Sequence, residues 1–238
     1  MFPLPLIAYS MKQFDAIFFT AHPDDAFIGA SGFIANLKDK GLDVLVVTAT
    51  DGESPEKDAP ARVDEFQKAV GSCGISGHRL QLKDGFLQFH HEELCLSILQ
   101  VLKTSNPSLI VTHDRFDRHS DHRAVSKAVE AAVELLFHSL RENCNLRFVL
   151  SFLPISIGME TLKHLESQYF CDISDYIDVK LKAVRHHSSQ MPYLERTLQK
   201  HIALNRFLGS LFSCEYVEGF SVLYEDKSDS IDSIFSSL

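Results

Sequence analysis

The chain has 238 residues, of which 45% are hydrophobic and 23% are charged, and this composition is ordinary for a globular domain with a buried core. Its 23 basic and 32 acidic residues give a formal net charge of -9, and no basic run or stripe is present, which argues against a nucleic acid as partner. No apolar stretch approaches the length of a membrane span, so we expect no membrane partner either.

The N-terminus and the cysteines both predict a cytoplasmic protein. The apolar residues at 1–10 are interrupted by Pro3 and Pro5 and lack the basic leader of a secretion signal. The five cysteines are scattered without a CxxC pair, and this pattern favours reduced thiols over disulfides. We therefore interpret residues 1–13 as an N-terminal extension and expect a cytoplasmic location.

Short apolar runs alternate with amphipathic stretches along the first two-thirds of the chain, which predicts a parallel sheet built from βαβ units. We predict strands at 14–21, 43–50, 79–82 and 108–112, and helices at 27–40, 62–74, 92–104 and 121–136. Beyond residue 147 we predict strands at 148–152, 169–173 and 216–224, and helices at 175–187 and 193–208. One α/β domain at 14–224 is the simplest interpretation, followed by a Ser- and Asp-rich tail at 225–238 that we expect to be mobile.

A first polar cluster follows the first predicted strand. His22-Pro-Asp-Asp25 comes directly after an apolar run and Ala21, and open α/β sheets place their sites at such strand ends. His22 and Asp25 are three residues apart across a turn, close enough to bind one ion, which leaves Asp24 free to act as a base on water. A single cluster of this kind is more often a simple turn, so it is weak evidence alone.

A second polar cluster follows the strand predicted at 108–112. It ends in His119-Ser-Asp-His122, with Asp117 two residues upstream. One of the two imidazoles can bind a metal while the other stays beside it, oriented by Asp121 or Asp117. Two clusters after strands of one parallel sheet supply three metal ligands, a base and an electrophile, which is the inventory of a hydrolytic zinc centre.

These motifs resemble the LmbE/PIG-L family of zinc-dependent N-deacetylases, and the likeness covers nearly the whole chain. The two His and Asp clusters carry most of it. Supporting matches are Thr50-Asp-Gly-Glu53, Arg62-Val-Asp-Glu65, Lys83-Asp-Gly85, Lys180 with His187-Ser-Ser-Gln190, and Glu218-Gly-Phe220. The resemblance implies a single-domain, Rossmann-like three-layer α/β sandwich with a mostly parallel sheet.

The resemblance also implies roles for individual residues. It implies His22, Asp25 and His122 as ligands of one Zn²⁺ per chain. It implies Asp24 as the general base that activates zinc-bound water, and His119 as the group that stabilises the oxyanion, tuned by Asp121. By the same analogy, Arg62 and Asp84 bind substrate, with a surface ion pair as the alternative. His187 is a further candidate for substrate contact, with a capped or exposed histidine as the alternative.

Two positions depart from the family pattern. Many members have a glutamate where this chain has Ala26, which predicts weaker support for Asp25 without loss of the chemistry. Asp117 lies where some relatives place an aromatic hydroxyl near the substrate oxyanion, so we expect that assistance to be missing.

The implied reaction removes acetyl from a small N-acetylglucosamine-type sugar conjugate, and the family pattern allows a homo-oligomer. Two alternatives stay open. One is a metal-dependent amidase that cuts a bulkier amide. The other, motivated by Ala26, is a zinc-binding module without turnover, although the retained Asp24 and His119 speak against it.

Overall fold

The computed structural model describes residues 13–53, 59–139, 144–158, 167–191 and 193–226. The predicted N-terminal extension and the C-terminal tail therefore lie outside the described residues, apart from Gln13, Glu225 and Asp226. Within the described part, no helix combines the length and the apolar character needed to cross a bilayer.

Seven strands form one sheet. They are β1 (Ala16–Thr20), β2 (Val44–Thr50), β3 (Ser76–Leu82), β4 (Leu109–Thr112), β5 (Phe148–Phe152), β6 (Tyr169–Asp172) and β7 (Val217–Glu225). The spatial order is β3-β2-β1-β4-β5-β7-β6. The first five strands are parallel, whereas β7 runs antiparallel to both β5 and β6. The prediction of a mostly parallel sheet is confirmed.

In the described part of the chain, six α-helices cover the two faces of this sheet. They are α1 (Asp25–Asp39), α2 (Ala59–Cys73), α3 (His91–Ser105), α4 (Ser120–Ser139), α5 (Ile177–Arg185) and α6 (Tyr193–Leu211). Helices α1, α2, α5 and α6 contribute to one buried apolar cluster, and α3 and α4 contribute to a second on the opposite face. Because β1 is apolar on both faces and lies between the two clusters, the molecule is a three-layer sandwich.

Helix α1 packs unusually close to the sheet because two of its residues have no side chain. A Cβ at Gly29 would lie 2.6 Å from the ring of Phe152, and one at Gly32 would lie 2.6 Å from Ile173. The close approach fixes the start of α1, which carries the first polar cluster, against β5.

A buried ion pair occupies a kink in α1. Ala30 has non-helical dihedrals (φ -148°, ψ 16°), and the Glu218 carboxylate accepts hydrogen bonds from the backbone N–H groups of Gly32 (3.2 Å) and Phe33 (2.7 Å). Lys180 Nζ lies 2.6 Å from the same carboxylate, and neither side chain is exposed. The Glu218 carboxylate therefore accepts hydrogen bonds from two backbone N–H groups next to the kink, which must be paired because they are buried.

Most predicted elements differ from the structure by one to three residues at their ends, and two of these differences have a clear structural basis. Strand β3 begins at Ser76, three residues before the predicted start, because Ser76 and Gly77 pair with β2 although neither is apolar. The helix predicted at 175–187 is a 3-10 turn at Ser174–Tyr176 followed by α5, which ends at Arg185. Further 3-10 turns occupy Leu87–Phe89 and Ser188–Gln190.

Candidate metal centre

The two polar clusters meet at the point where the strand order reverses. In the sheet, β1 has β2 on one side and β4 on the other. The connections that follow β1 and β4 therefore lead away from each other, and a crevice opens between the two loops. His22-Pro-Asp-Asp25 occupies the first loop and leads into α1. His119-Ser-Asp-His122 occupies the second and begins α4. The topology therefore brings together clusters that are about a hundred residues apart.

Three side chains converge in this crevice with the spacing of metal ligands. His22 Nδ1 lies 3.2 Å from His122 Nε2, and it lies 3.2 Å from one carboxylate oxygen of Asp25. The other Asp25 oxygen lies 3.3 Å from His122 Nε2. The edge of a tetrahedron with zinc–ligand distances of 2.0–2.1 Å is about 3.3 Å. The donor set therefore fits a zinc ion by both chemistry and spacing.

The second nitrogen of each imidazole faces a carboxylate. His122 Nδ1 lies 3.0 Å from Asp117, and His22 Nε2 lies 3.0 Å from Asp84 and 3.8 Å from Asp121. In metal sites, partners of this kind fix the imidazole ring and direct its opposite nitrogen towards the ion. Asp117 is 1% exposed and also accepts hydrogen bonds from the backbone of His119 and Ser156.

His113 completes the surroundings of the centre. Its ring stacks on His122 at a centroid distance of 4.1 Å, and its Nε2 lies 3.2 Å from Asp25 and 3.0 Å from the backbone N of Ala21. The backbone N–H of His22 donates a 2.8 Å hydrogen bond to Asp25. Asp25 is thus well supported although Ala26, itself fully buried in the core, follows it.

The charges in the crevice are strongly coupled. Burial lowers the pKa of His122, but Asp25 and Asp117 outweigh it and raise the pKa to about 9. Burial likewise opposes protonation of His22, yet Asp25 and Asp121 hold its pKa well above the ordinary value. Burial would raise the pKa of Asp25, and the surrounding imidazoles instead hold it well below the usual range. Because a metal ligand must be a neutral imidazole, we expect metal binding here to release protons.

Asp24 directly precedes Asp25 and is not one of the three converging side chains, which are His22, Asp25 and His122. Arg62 Nη2 lies 3.1 Å from Asp24, and Arg62 Nη1 donates a 2.8 Å hydrogen bond to the carbonyl of Gly52. Arg62 is 2% exposed. Gly52 has a φ of +69°, and a Cβ there would lie 2.1 Å from Arg62, so only glycine leaves room for the guanidinium. This arrangement fixes the Asp24 carboxylate in one place.

His119 lies on the open side of the centre. Its ring is 4.5 Å from that of His122 and 4.8 Å from that of His22. The backbone N–H of Asp121 donates to His119 Nδ1 (3.3 Å), which leaves the proton of the neutral imidazole on Nε2. Burial and the neighbouring His122 lower the pKa of His119. The side chain can therefore donate a hydrogen bond as a neutral imidazole.

A cavity of about 270 Å³ lies above these groups. Its lining includes His22, Asp25 and His122 together with Asp24, Arg62, Asp84 and His119. The later part of the chain contributes Ile155, Ser156, Gln190, Tyr193, Leu194 and Thr197 to the lining. A lining that is polar in one part and partly apolar in another is suited to a small polar molecule with one apolar substituent.

The structure brings eight of the nine residues singled out in the sequence to this centre. His187 is the exception, because it has no exposed surface, does not line the cavity and packs against Phe27 at a ring distance of 5.4 Å. Asp121 meets His119 through its backbone, while its carboxylate accepts hydrogen bonds from the N–H groups of Gly85 (2.6 Å) and Leu87 (3.3 Å).

Sequence reasoning gave His113 no role and did not decide between Asp117 and Asp121 as the partner of a ligand histidine. Both His113 and Asp117 belong to the second cluster. The sequence signal that could have identified them is their position, because His113 directly follows a buried strand and Asp117 lies five residues before His122.

Comparison with known proteins finds similarity to de-N-acetylases and deacetylases. The family model described as PIG-L, GlcNAc-PI de-N-acetylase, matches residues 17–133. The diacetylchitobiose deacetylase of Thermococcus kodakarensis is 31% identical over 216 residues, which cover 83% of this chain and 79% of that protein. A 1D-myo-inositol 2-acetamido-2-deoxy-alpha-D-glucopyranoside deacetylase of Actinosynnema mirum is 26% identical, covering 72% of this chain and 78% of the relative.

One solved structure shows that the fold serves more than one reaction. The 4-carboxy-2-hydroxymuconate hydratase of Pseudomonas putida superposes with a TM-score of 0.75 at 18% identity, covering 93% of this chain and all of the hydratase. At that identity the likeness concerns the fold alone. The site geometry and the closer relatives therefore carry the functional argument.

Proposed function

The chain belongs to the PIG-L family of de-N-acetylases, and on that premise we propose that it is a zinc-dependent hydrolase that removes the acetyl group from an N-acetylglucosamine-type sugar conjugate. The observation that carries the proposal is the convergence of His22, Asp25 and His122 within 3.2–3.3 Å of one another. Asp24 and His119 stand beside these ligands on the wall of the same cavity.

His22, Asp25 and His122 would hold the zinc ion. When bound, the ion would supply Lewis acidity that makes water more acidic and an amide carbonyl more electrophilic. Two imidazoles and one carboxylate, with the remaining nitrogens oriented by Asp84 and Asp117, form the kind of ligand set that catalytic zinc sites use.

Asp24 is the proposed general base. Fixed by Arg62, its carboxylate accepts a proton from the attacking water, whose oxygen forms a bond to the acetyl carbonyl carbon. His119 donates a hydrogen bond from Nε2 to the carbonyl oxygen as negative charge develops there. The carbon–nitrogen bond then breaks, and the proton held on Asp24 passes to the leaving amine. The products are acetate and a free amino sugar.

Asp84 lines the cavity and is the proposed contact to the sugar, whereas Arg62 lines the same cavity but is bonded to Asp24. We leave His187 out of this role because it has no exposed surface. The names of both relatives given above point to acetamido sugars, which supports a small N-acetylated sugar conjugate as substrate. All five cysteines are free thiols in the structure, and this supports a cytoplasmic location.

The test combines zinc content with acetate release from a panel of N-acetylglucosaminides. The variant is Asp24→Asn, which removes the base and keeps the three ligands. The matched control is Asp64→Asn, on an exposed aspartate of α2. We expect about one zinc per chain in all three proteins and an acetate release about 10²–10⁴-fold slower in Asp24→Asn alone.

Other outcomes would overturn specific parts of the proposal. Bound zinc with release of a larger acid only would identify an amidase for bulkier amides. Bound zinc without hydrolysis of any amide would favour the non-catalytic module, or a reaction such as hydration on the shared fold. A folded protein that binds no metal would refute the ligand assignment.

A further inference from the structure

Glu65 is a buried carboxylate that has no part in the proposed reaction steps. It is 6% exposed and lies about one turn after Arg62 on α2. Its Oε1 accepts hydrogen bonds from Ser188 Oγ (3.0 Å) and from the backbone N–H of Ser189 (2.6 Å), and its Oε2 accepts one from Ser189 Oγ (2.7 Å). Helix α2 thereby holds the 3-10 turn at Ser188–Gln190.

The hydrogen bonds of this turn have a fixed direction. A carboxylate only accepts, so Ser189 Oγ donates its single proton to Glu65. The same oxygen can then only accept from the side-chain amide of Gln190, whose Nε2 lies 3.0 Å away. The Glu65 carboxylate therefore decides which way the Gln190 amide points, a choice that the nearly symmetric shape of an amide leaves open.

Gln190 lines the cavity above the metal centre, together with Asp24 and His119. Because Nε2 is turned towards Ser189, the oxygen Oε1 is the amide atom left for the cavity. Among the residues that the structure describes, no donor forms a hydrogen bond with this oxygen. The cavity thus presents a neutral acceptor at this position, and not a donor.

We propose that Gln190 Oε1 accepts a hydrogen bond from the N–H of the substrate's acetamido group, and that Glu65 is the positioning residue that acts on Gln190 through Ser189. This inference rests on the proposed deacetylase function and deepens it by naming a contact to the amide that is cleaved. A sugar hydroxyl both donates and accepts, so it would pair with either orientation of the amide. The acetamido N–H only donates, so it requires the orientation that Glu65 fixes.

The first measurement follows the side-chain amide of Gln190 by NMR, without substrate. The variants are Ser189→Ala and Glu65→Gln, and Gln190→Ala identifies the signal. The matched control is Glu195→Gln, on an exposed glutamate of α6 that accepts a 2.9 Å hydrogen bond from the amide of Gln199. We expect the Gln190 amide hydrogens to exchange with water about threefold to tenfold faster in both variants and at the wild-type rate in the control. Wild-type exchange in both variants would overturn the positioning role.

The second measurement is a double-mutant cycle on acetate release from an N-acetylglucosaminide. In Glu65→Gln the new amide can donate to Ser189 Oγ, which reverses the chain and turns Gln190 Nε2 towards the cavity. We expect Glu65→Gln and Gln190→Ala each to raise KM about threefold to tenfold, with kcat changed less than about twofold. The double variant should be no worse than Gln190→Ala alone. Effects on KM that multiply would assign Glu65 a merely structural role.

The third measurement identifies the group that Gln190 binds. The test compound carries the acetyl group on oxygen in place of nitrogen, so it is an ester without the N–H. We expect Gln190→Ala to leave KM for the ester unchanged, and an equal rise in KM for ester and amide would refute the N–H as the partner. If neither compound is hydrolysed, the proposed function fails, and the amide exchange still decides whether Glu65 orients Gln190.

Discussion

Arg62 shows how a residue's role depends on its partners rather than on its presence in a motif. The sequence resemblance implies that it contacts substrate, yet one of its nitrogens bonds Asp24 and another bonds the Gly52 carbonyl. A buried guanidinium in two fixed hydrogen bonds is well suited to hold a carboxylate in position. We therefore infer that Arg62 acts through Asp24.

The corresponding prediction concerns Arg62→Gln. We expect kcat to fall about 10–100-fold while KM changes less than about threefold, because the base loses its orientation and the sugar keeps its other contacts. Zinc content should not change. Steady-state kinetics beside the exposed control Arg196→Gln would check this. A large rise in KM at constant kcat would show instead that Arg62 binds the sugar directly.

Asp117 gives a second prediction at this scale. Its carboxylate faces His122 Nδ1 at 3.0 Å, so Asp117→Asn should weaken the orientation and the basicity of that ligand. We expect zinc affinity to fall about 10–100-fold, measured by competition with a chelator. Asp64→Asn serves as the control, since this aspartate is exposed on α2. Unchanged affinity in Asp117→Asn would mean that the contact does not support the metal.

The sequence predicts the residues of this centre better than their contacts. The spacing of His22, Asp25 and His122 follows a recognisable pattern, and the structure brings all three together. The choice between Asp117 and Asp121 as partner of His122 depends on how the loop folds back, which spacing does not determine. The stacking of His113 on His122 depends on the packing at the end of β4, so no local pattern predicts it.

At the scale of secondary-structure elements, the kink of α1 links distant parts of the chain. Glu218 on β7 pairs with Lys180 on α5 and accepts two backbone N–H groups of α1, all in the interior. Apolar periodicity predicts α1, β7 and α5 separately. It cannot predict the kink, because the partner of the interrupted backbone lies 186 and 185 residues away in sequence.

We predict that Glu218→Gln lowers the free energy of unfolding by about 3–5 kcal/mol, because it leaves Lys180 charged and unpaired in the interior. Chemical denaturation would measure this. The matched control is Glu215→Gln, whose exposed ion pair with Arg206 at 3.5 Å should contribute less than about 1 kcal/mol. Equal free energies of unfolding for the two variants would show that the buried Lys180–Glu218 pair contributes no more stability than the exposed Arg206–Glu215 pair.

At the scale of the whole molecule, acid stability depends on a histidine outside the metal centre. His201 on α6 is 3% exposed, and its Nε2 lies 3.3 Å from the carbonyl of Ile155. Burial, reinforced by Lys180, lowers its pKa to about 3. In the unfolded chain a histidine titrates near pH 6.5. Between these pH values the unfolded state binds one more proton than the folded state, so stability falls as the pH falls.

We therefore expect His201→Gln to reduce the loss of stability in acid. Relative to the wild type, the variant should gain about 1.4 kcal/mol per pH unit as the pH falls from about 6.5 towards 4. Denaturation at several pH values would measure the difference, with the exposed His138→Gln as control. Parallel pH profiles for His201→Gln and the wild type would contradict the assignment.

The part of the chain before the antiparallel strand pairs of β7 and the part that forms those pairs contribute different residues to the site. Every proposed metal ligand precedes residue 123, whereas the later group of cavity-lining residues begins at Ile155 and is completed by the start of α6. Reactivity and cavity shape can thus vary separately during evolution. A chimera that takes residues 153–226 from a relative would inherit a new cavity contour and keep the proposed metal ligands of this chain, provided that the partner of the α1 kink is carried over.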